Sequence, residues 1–260
     1  MERRIPLTTS TDRAKALFSL TVSEGKRLIA KAVAAMPMVQ QARHQGRLII
    51  ATGITNGYIA EEILGQPVDI ARYTAGIVTH GEYSVTDSET RLAPICFENG
   101  QPSSRPWPEI LGDFTGDDVF IKGANAIDLT GMAGVLVGSP HGGTCGVAFG
   151  ALYARGSHLI VPASREKLIP SVDAAVRQLG THVFDQTLGM PCGMIPVTGA
   201  DIITEIEALS ILYGVDAVQI SAGGVGGSEG SVGLVINGTK ARVTTAMEMI
   251  GALKGEPPIT

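Results

Sequence analysis

The chain has 260 residues, enough for one large domain or two modest ones with a sizeable core, and a formal charge of −5 with no Lys/Arg run and no basic helical stripe. That balance points away from nucleic-acid binding. Three widely spaced cysteines, Cys96, Cys145 and Cys192, form no C-x-x-C unit and fit reduced thiols in a cytoplasmic setting. Mean hydropathy is +0.22 with 33 Gly and 5% aromatics, so the expected core is one of small aliphatic side chains, as in buried strands alternating with helices. Met1-Glu2-Arg3-Arg4-Ile5-Pro6 is charged and no continuous apolar segment follows it, so neither a signal peptide nor a membrane span is expected.

In chain order, residues 1–46 read as an N-terminal arm and helix. Thr21-Val22-Ser23-Glu24 has the form of a capping box ahead of Leu28, Ile29, Ala32, Val33 and Met36 at helical spacing, and Pro37 should kink or end that helix. The Ile-rich run Leu48-Ile49-Ile50 is followed by Thr52-Gly53-Ile54-Thr55-Asn56-Gly57 and then by Ile59, Ile63 and Leu64, which reads as strand, tight turn and helix. The first amides of such a helix have no internal partner, and its dipole attracts anions. Gly53 and Gly57 would allow close approach of a phosphate or carboxylate, with Thr52, Thr55 and Asn56 adding hydrogen bonds. An ordinary turn with Thr55 or Asn56 as the helix N-cap fits the same residues.

Residues 76–81 read as a second short strand entering a polar loop, with His80 and Glu82 two side chains able to form an acid–base pair or to meet by chance there. The Pro- and Ser-rich stretch 100–107 reads as a surface loop, or else a lid or insertion. Strands are expected at 118–124, 133–138 and 158–162, with a small-residue helix over 145–155. The alternation predicts an α/β fold, a mostly parallel sheet with helices on both faces, forming a Rossmann-like ligand-binding domain over 47–193. Ligands then collect beyond the carboxyl ends of the strands, where residues 52–57, 79–82, 125–128 and 163–167 should gather. Residues 194–260 read as strand 194–197, helix 201–213, strand 215–221, a glycine-laden loop 223–230, strand 232–236 and helix 240–253, a smaller ferredoxin-like α+β part. The glycine loop fits either a ligand clamp or a hairpin tip.

Within that frame Asp128 could orient a hydroxyl or act as a base, or simply cap a turn; Lys122 could pair with a phosphate or lie solvated. Cys145, opening a helix, fits a thiol of lowered pKa or a small buried filler. His141, His158 and His182 lack metal-ligand spacing, so no metal or other cofactor is expected.

Residues 118–167 resemble the sensor domain of DeoR-family sugar repressors and, more widely, the superfamily of type A ribose-5-phosphate isomerase, glucosamine-6-phosphate deaminase and CoA transferases. The resemblance lies in Phe120-Ile121-Lys122-Gly123-Ala124-Asn125-Ala126-Ile127-Asp128 with Gly131, in Thr52-Gly53-Ile54-Thr55 as a phosphate loop, in Leu159 to Lys167, and in Ile195-Pro196-Val197. It implies a sugar-phosphate or similar anionic ligand held by Thr52–Gly57, Lys122, Asn125 and Lys167. The isomerases' carboxylates are replaced by Lys122, Asn125 and Ala126, and no counterpart of the CoA transferases' glutamate nucleophile is found. Three readings follow: an isomerase-like protein using Asp128, His80 and Glu82, a non-catalytic sensor that keeps the anion pocket, and an acyl-CoA-handling enzyme. The expected partner is a small anionic metabolite; a homo-oligomer is expected only from how often soluble enzymes form symmetric assemblies.

Overall fold

The apolar run Leu48-Ile49-Ile50 lies fully buried in the middle of a six-stranded sheet, each side chain contributing about 1.5–3 kcal/mol by leaving water. The computed structural model describes residues 12–259. In chain order they form β1 (Arg13–Leu20), α1 (Val22–Ala35), α2 (Pro37–Gln45), β2 (Arg47–Ile50), α3 (Ile54–Leu64), β3 (Gly76–Thr79), β4 (Glu82–Val85), β5 (Ile95–Glu98) and β6 (Gln101–Ser103). There follow α4 (Trp107–Gly112), β7 (Val119–Ile121), β8 (Ala126–Ile127), β9 (Ala133–Val137), α5 (Gly143–Arg155), β10 (His158–Pro162) and a 3-10 turn at Arg165–Lys167. The chain ends with α6 (Val172–Val176), β11 (Gly193–Val197), β12 (Asp201–Ile203), α7 (Glu205–Tyr213), β13 (Asp216–Ala222), β14 (Val232–Thr239) and α8 (Lys240–Leu253).

The large sheet has the order β12-β10-β7-β2-β5-β6, with the first four strands parallel, β5 antiparallel to β2, and β6 antiparallel to β5. Side chains alternate between its faces. Leu48, Ile50, Val119, Ile121 and Ile160 join a core with α1, α3, α7 and α8, while Ile49, Phe120, Leu159 and Val161 pack with α4 and α5. By the same alternation Lys122, one residue past β7, falls on the α5 side. The mixed α/β architecture with a mostly parallel sheet agrees with the sequence.

Several details differ. The strands at 133–137 and 193–197 do not join the parallel sheet but pair with each other and with β8 in an antiparallel β11-β9-β8 sheet. Residues 76–85 form a separate hairpin whose two turn residues, His80 (φ 51) and Gly81 (φ 81), are both left-handed, the two-residue turn that closes a hairpin. A ferredoxin-like unit within 194–260 is not what forms. Asp201–Ile203 is a strand pairing with β10, because Thr204 and Glu207 make a capping box that delays the helix to Glu205. The C-terminal hairpin instead completes a β1-β14-β13 sheet with the N-terminal strand, Phe18 opposite Leu234 and Ala16 opposite Ile236. Leu20, Leu28, Leu234 and Ile236 therefore share one core with Leu48 and Ile50. Among the described residues no helix is long and apolar enough to cross a membrane.

Candidate functional site

Helices that follow parallel strands start at the strands' carboxyl edge, so their N-termini gather there with unpaired amides and a positive dipole end. Here α3 and α7 follow parallel strands, β2 and β12, while α1 and α5 follow β1 and β9 of the antiparallel sheets, and the four helices are finished in two ways. The first turns of α1 and α7 are closed by capping boxes, Thr21 with Glu24 and Thr204 with Glu207. Those of α3 and α5 begin at glycines, Gly53 (φ 153) and Gly142 (φ 75), with no side-chain cap. The position that a Thr55 or Asn56 cap would have filled is taken by Gly53, whose N–H donates to the Tyr73 carbonyl at 2.8 Å. Tyr73 is itself fixed, its hydroxyl donating to Ile50 O at 2.5 Å and accepting from Ile95 N at 3.1 Å. Among the described residues the amides of Ile54, Thr55 and Asn56 have no protein acceptor.

Asn56 and Thr55 are buried, yet Asn56 Oδ1 and Thr55 Oγ1 have no hydrogen-bond partner among the described residues. Asn56 Nδ2 donates to Ala51 O at 2.7 Å and to Ile121 O at 3.3 Å, which ties the end of β2 to the end of β7. Its Oδ1 is left facing Gly123, where a Cβ would stand 3.6 Å away and 3.7 Å from Pro162 O. Three strand ends thus converge on Gly123. Buried oxygens left unpaired cost stability unless something outside the protein completes them.

Two lysine amines border this point. Lys122 Nζ donates to Gly123 O at 3.2 Å and Lys167 Nζ to Ala124 O at 2.7 Å. Neither has a carboxylate within salt-bridge distance among the described residues. Nearby Glu166 is taken by Lys26 of α1 at 3.1 Å, and buried Glu205 accepts from Ser164 Oγ at 2.6 Å and Arg165 N at 2.9 Å. Desolvation lowers the Lys122 pKa, countered in part by Cys145 on α5. Desolvation together with the Lys26 and Lys122 charges brings Lys167 down to about 8, against the opposing pull of Glu166 and Glu205. Burial raises the Cys145 thiol pKa despite Lys122 beside it, which places it with the buried fillers. Thr52, Gly53, Lys122, Gly123 and Lys167 all keep partial exposure, so the cluster opens to solvent.

The other residues singled out in the sequence fare differently. Gly57 is buried and its N–H bonds Gly53 O; a Cβ there would meet Ile70 at 2.9 Å, so this glycine serves packing rather than close approach to an anion. Asp128 is not available as a base. Its carboxylate accepts from Thr130 N, Thr130 Oγ1, Met132 N and Val172 N, and although burial pushes its pKa up, these bonds outweigh that and hold it below the usual carboxylate value. Asn125 is exposed and uses its Oδ1 on Leu136 N at 3.0 Å, holding β9 in place. His80 and Glu82 sit exposed at the tip of the β3–β4 hairpin, outside the large sheet, with no hydrogen bond between their side chains.

Sequence reasoning missed Lys26 and Glu205, and placed Ser164 at this edge without a role. The available signal for Glu205 was the Thr204–Glu207 box, which sets Glu205 at the start of a helix whose N-terminus faces the same edge. Gly25 of α1 leaves the room that Glu205 occupies, since a Cβ there would stand 2.6 Å from Glu205 Oε1. The glycine loop 223–230 ends at this edge too, Gly230 lying against Val22 and Glu166. Among the described residues no three His, Cys, Asp or Glu side chains are grouped to hold a metal ion. No protein-family model, curated protein or solved structure matches the chain, so the site is read from its geometry.

Proposed function

We propose that the protein binds a small phosphorylated or carboxylated metabolite at the carboxyl edge of its parallel strands, between the open N-termini of α3 and α5. The observation that carries this reading is the pair of lysine amines, Lys122 and Lys167, held by the Gly123 and Ala124 carbonyls alone at the strand end that the unpartnered Asn56 Oδ1 faces. A phosphate or carboxylate would accept from the amides, the Thr55 hydroxyl and the lysines; Asn56 Oδ1 would accept from a hydroxyl on the same ligand. Gly53, with no Cβ, leaves the main chain open to it.

Proton transfer by Asp128 or by His80 and Glu82 has no support in this geometry, and the reading is one of ligand recognition. It is tested by thermal denaturation with inorganic phosphate, ribose 5-phosphate and simple carboxylates. Saturable stabilisation that reaches about 2.7 kcal/mol at a hundredfold excess over Kd is expected for the native chain and is lost in Lys122→Met. Equal stabilisation of the two proteins would remove the proposal.

A further inference from the structure

The anion reading uses Lys167 only as a positive charge and leaves its placement without a carboxylate partner unexplained. Its amine is turned onto Ala124 O at 2.7 Å, in the company of Lys122 at the end of β7, Lys26 from α1, Glu166 on its own turn and Glu205 from α7. The two carboxylates are engaged elsewhere, Glu166 with Lys26 and Glu205 with Ser164 and the Arg165 amide. An amine placed among cations, without a carboxylate partner and within reach of solvent, is set up as a nucleophile more than as a counter-ion. We propose that Lys167 forms an imine with the carbonyl carbon of a small carbonyl compound whose phosphate or carboxylate rests on Lys122 and the amides of Ile54, Thr55 and Asn56. This rests on the anion site described above and names the class of ligand it takes.

The step balances without an oxidant or reductant. The lone pair of neutral Lys167 Nζ adds to the carbonyl carbon while the C=O π pair moves to oxygen. The oxygen then leaves as water with the two amine protons, and a C=N bond remains. With its pKa near 8, roughly a tenth of Lys167 is neutral at pH 7, against well under a thousandth of an ordinary lysine. The positive charge of the protonated imine would stand close to the ligand's own anionic group.

The test treats the full chain with pyruvate or dihydroxyacetone phosphate and sodium cyanoborohydride, which reduces any imine to a stable secondary amine, followed by peptide mapping. Acetone serves as the carbonyl without an anion. The adduct is expected on Lys167 about tenfold faster than on any other lysine, faster with the anionic carbonyls than with acetone, with a rate that levels off near pH 8 while surface lysines keep rising. Lys167→Met should lose that adduct. Labelling spread evenly over surface lysines, with phosphate stabilisation intact, overturns the imine and leaves the anion site standing. Absence of both overturns the two together. The mapping and pH profile are read on the native chain, so they decide the matter even if Lys167→Met does not fold.

Discussion

Adjacent residues of α1, Lys26 and Arg27, lead into two regions that treat charge in opposite ways. Arg27 is enclosed by carboxylates: its guanidinium reaches Glu61 at 2.6 Å, Glu256 at 2.8 Å and Glu62 at 3.0 Å, and it lies 4.5 Å over the Tyr58 ring. Lys31 adds a second cation to Glu62 at 3.1 Å. Burial alone would lower the Arg27 pKa, and the bonds to Glu256 and Glu61 outweigh it, so the cation is held more firmly than in water. On the other side of α1, Lys26 consumes Glu166, and Lys122 and Lys167 are left with peptide carbonyls. A buried charge that serves the fold is matched by the fold. One that is left unmatched at an open helix end is, on the reading proposed above, matched by a bound anion.

The sharpest way to break this contrast is to remove each cation. Arg27→Met strands Glu61 and Glu256, leaving Glu62 to Lys31, and should cost about 3–5 kcal/mol in urea unfolding, whereas Lys122→Met removes a desolvated charge without a partner and should cost less than about 1 kcal/mol or stabilise the chain. Equal losses would mean that the two regions do not differ.

A smaller effect follows from Lys167. Its folded pKa, about 8, lies below that of an unfolded lysine, so the unfolded chain binds more protons between those values and stability rises with pH across that window. Lys167→Met should therefore be more stable than the native chain at pH 7, by on the order of 1–3 kcal/mol, with the gain shrinking from pH 8 to pH 10. A pH-independent difference would contradict the desolvated amine.

The smallest expected change places Asp128 on the structural side. Asp128→Asn loses a carboxylate that ties the 128–132 turn to the start of α6, and should cost about 1–2 kcal/mol at neutral pH with phosphate binding unchanged. Because its folded pKa is depressed, the native advantage disappears as pH falls through that pKa. Weakened phosphate binding in this variant would return Asp128 to the site.

What could be read from the chain follows how local each signal is. The capping box at Thr21–Glu24, the helix break at Pro37 and the strand-to-helix turn at 50–54 are set by neighbouring residues, and all three are where the sequence puts them. Sheet membership is not local. Ala133–Val137 and Gly193–Val197 look like any buried strand, and only tertiary pairing decides that they face each other. The strand at Arg13–Leu20 is not legible in the sequence, where the segment before Thr21 reads as an arm, because the alternation of Ala14, Ala16, Phe18 and Leu20 is weak where the inward side chains are short. At the site, the open turn of α3 and the candidate lysines Lys122 and Lys167 could be named in advance. That Asp128 would be consumed by four donors, and that Glu205 would be buried beside Gly25, depends on loops brought together from distant segments.

The central claim concerns the amides at the start of α3, and nitrogen–proton correlation spectra of the labelled chain titrated with inorganic phosphate address it directly. Saturable shifts at Ile54, Thr55 and Asn56, together with Lys122 and Gly123, are predicted for the native protein and should be absent in Lys122→Met. Shifts that never saturate, that scatter over exposed lysines, or that persist unchanged in the variant would contradict it.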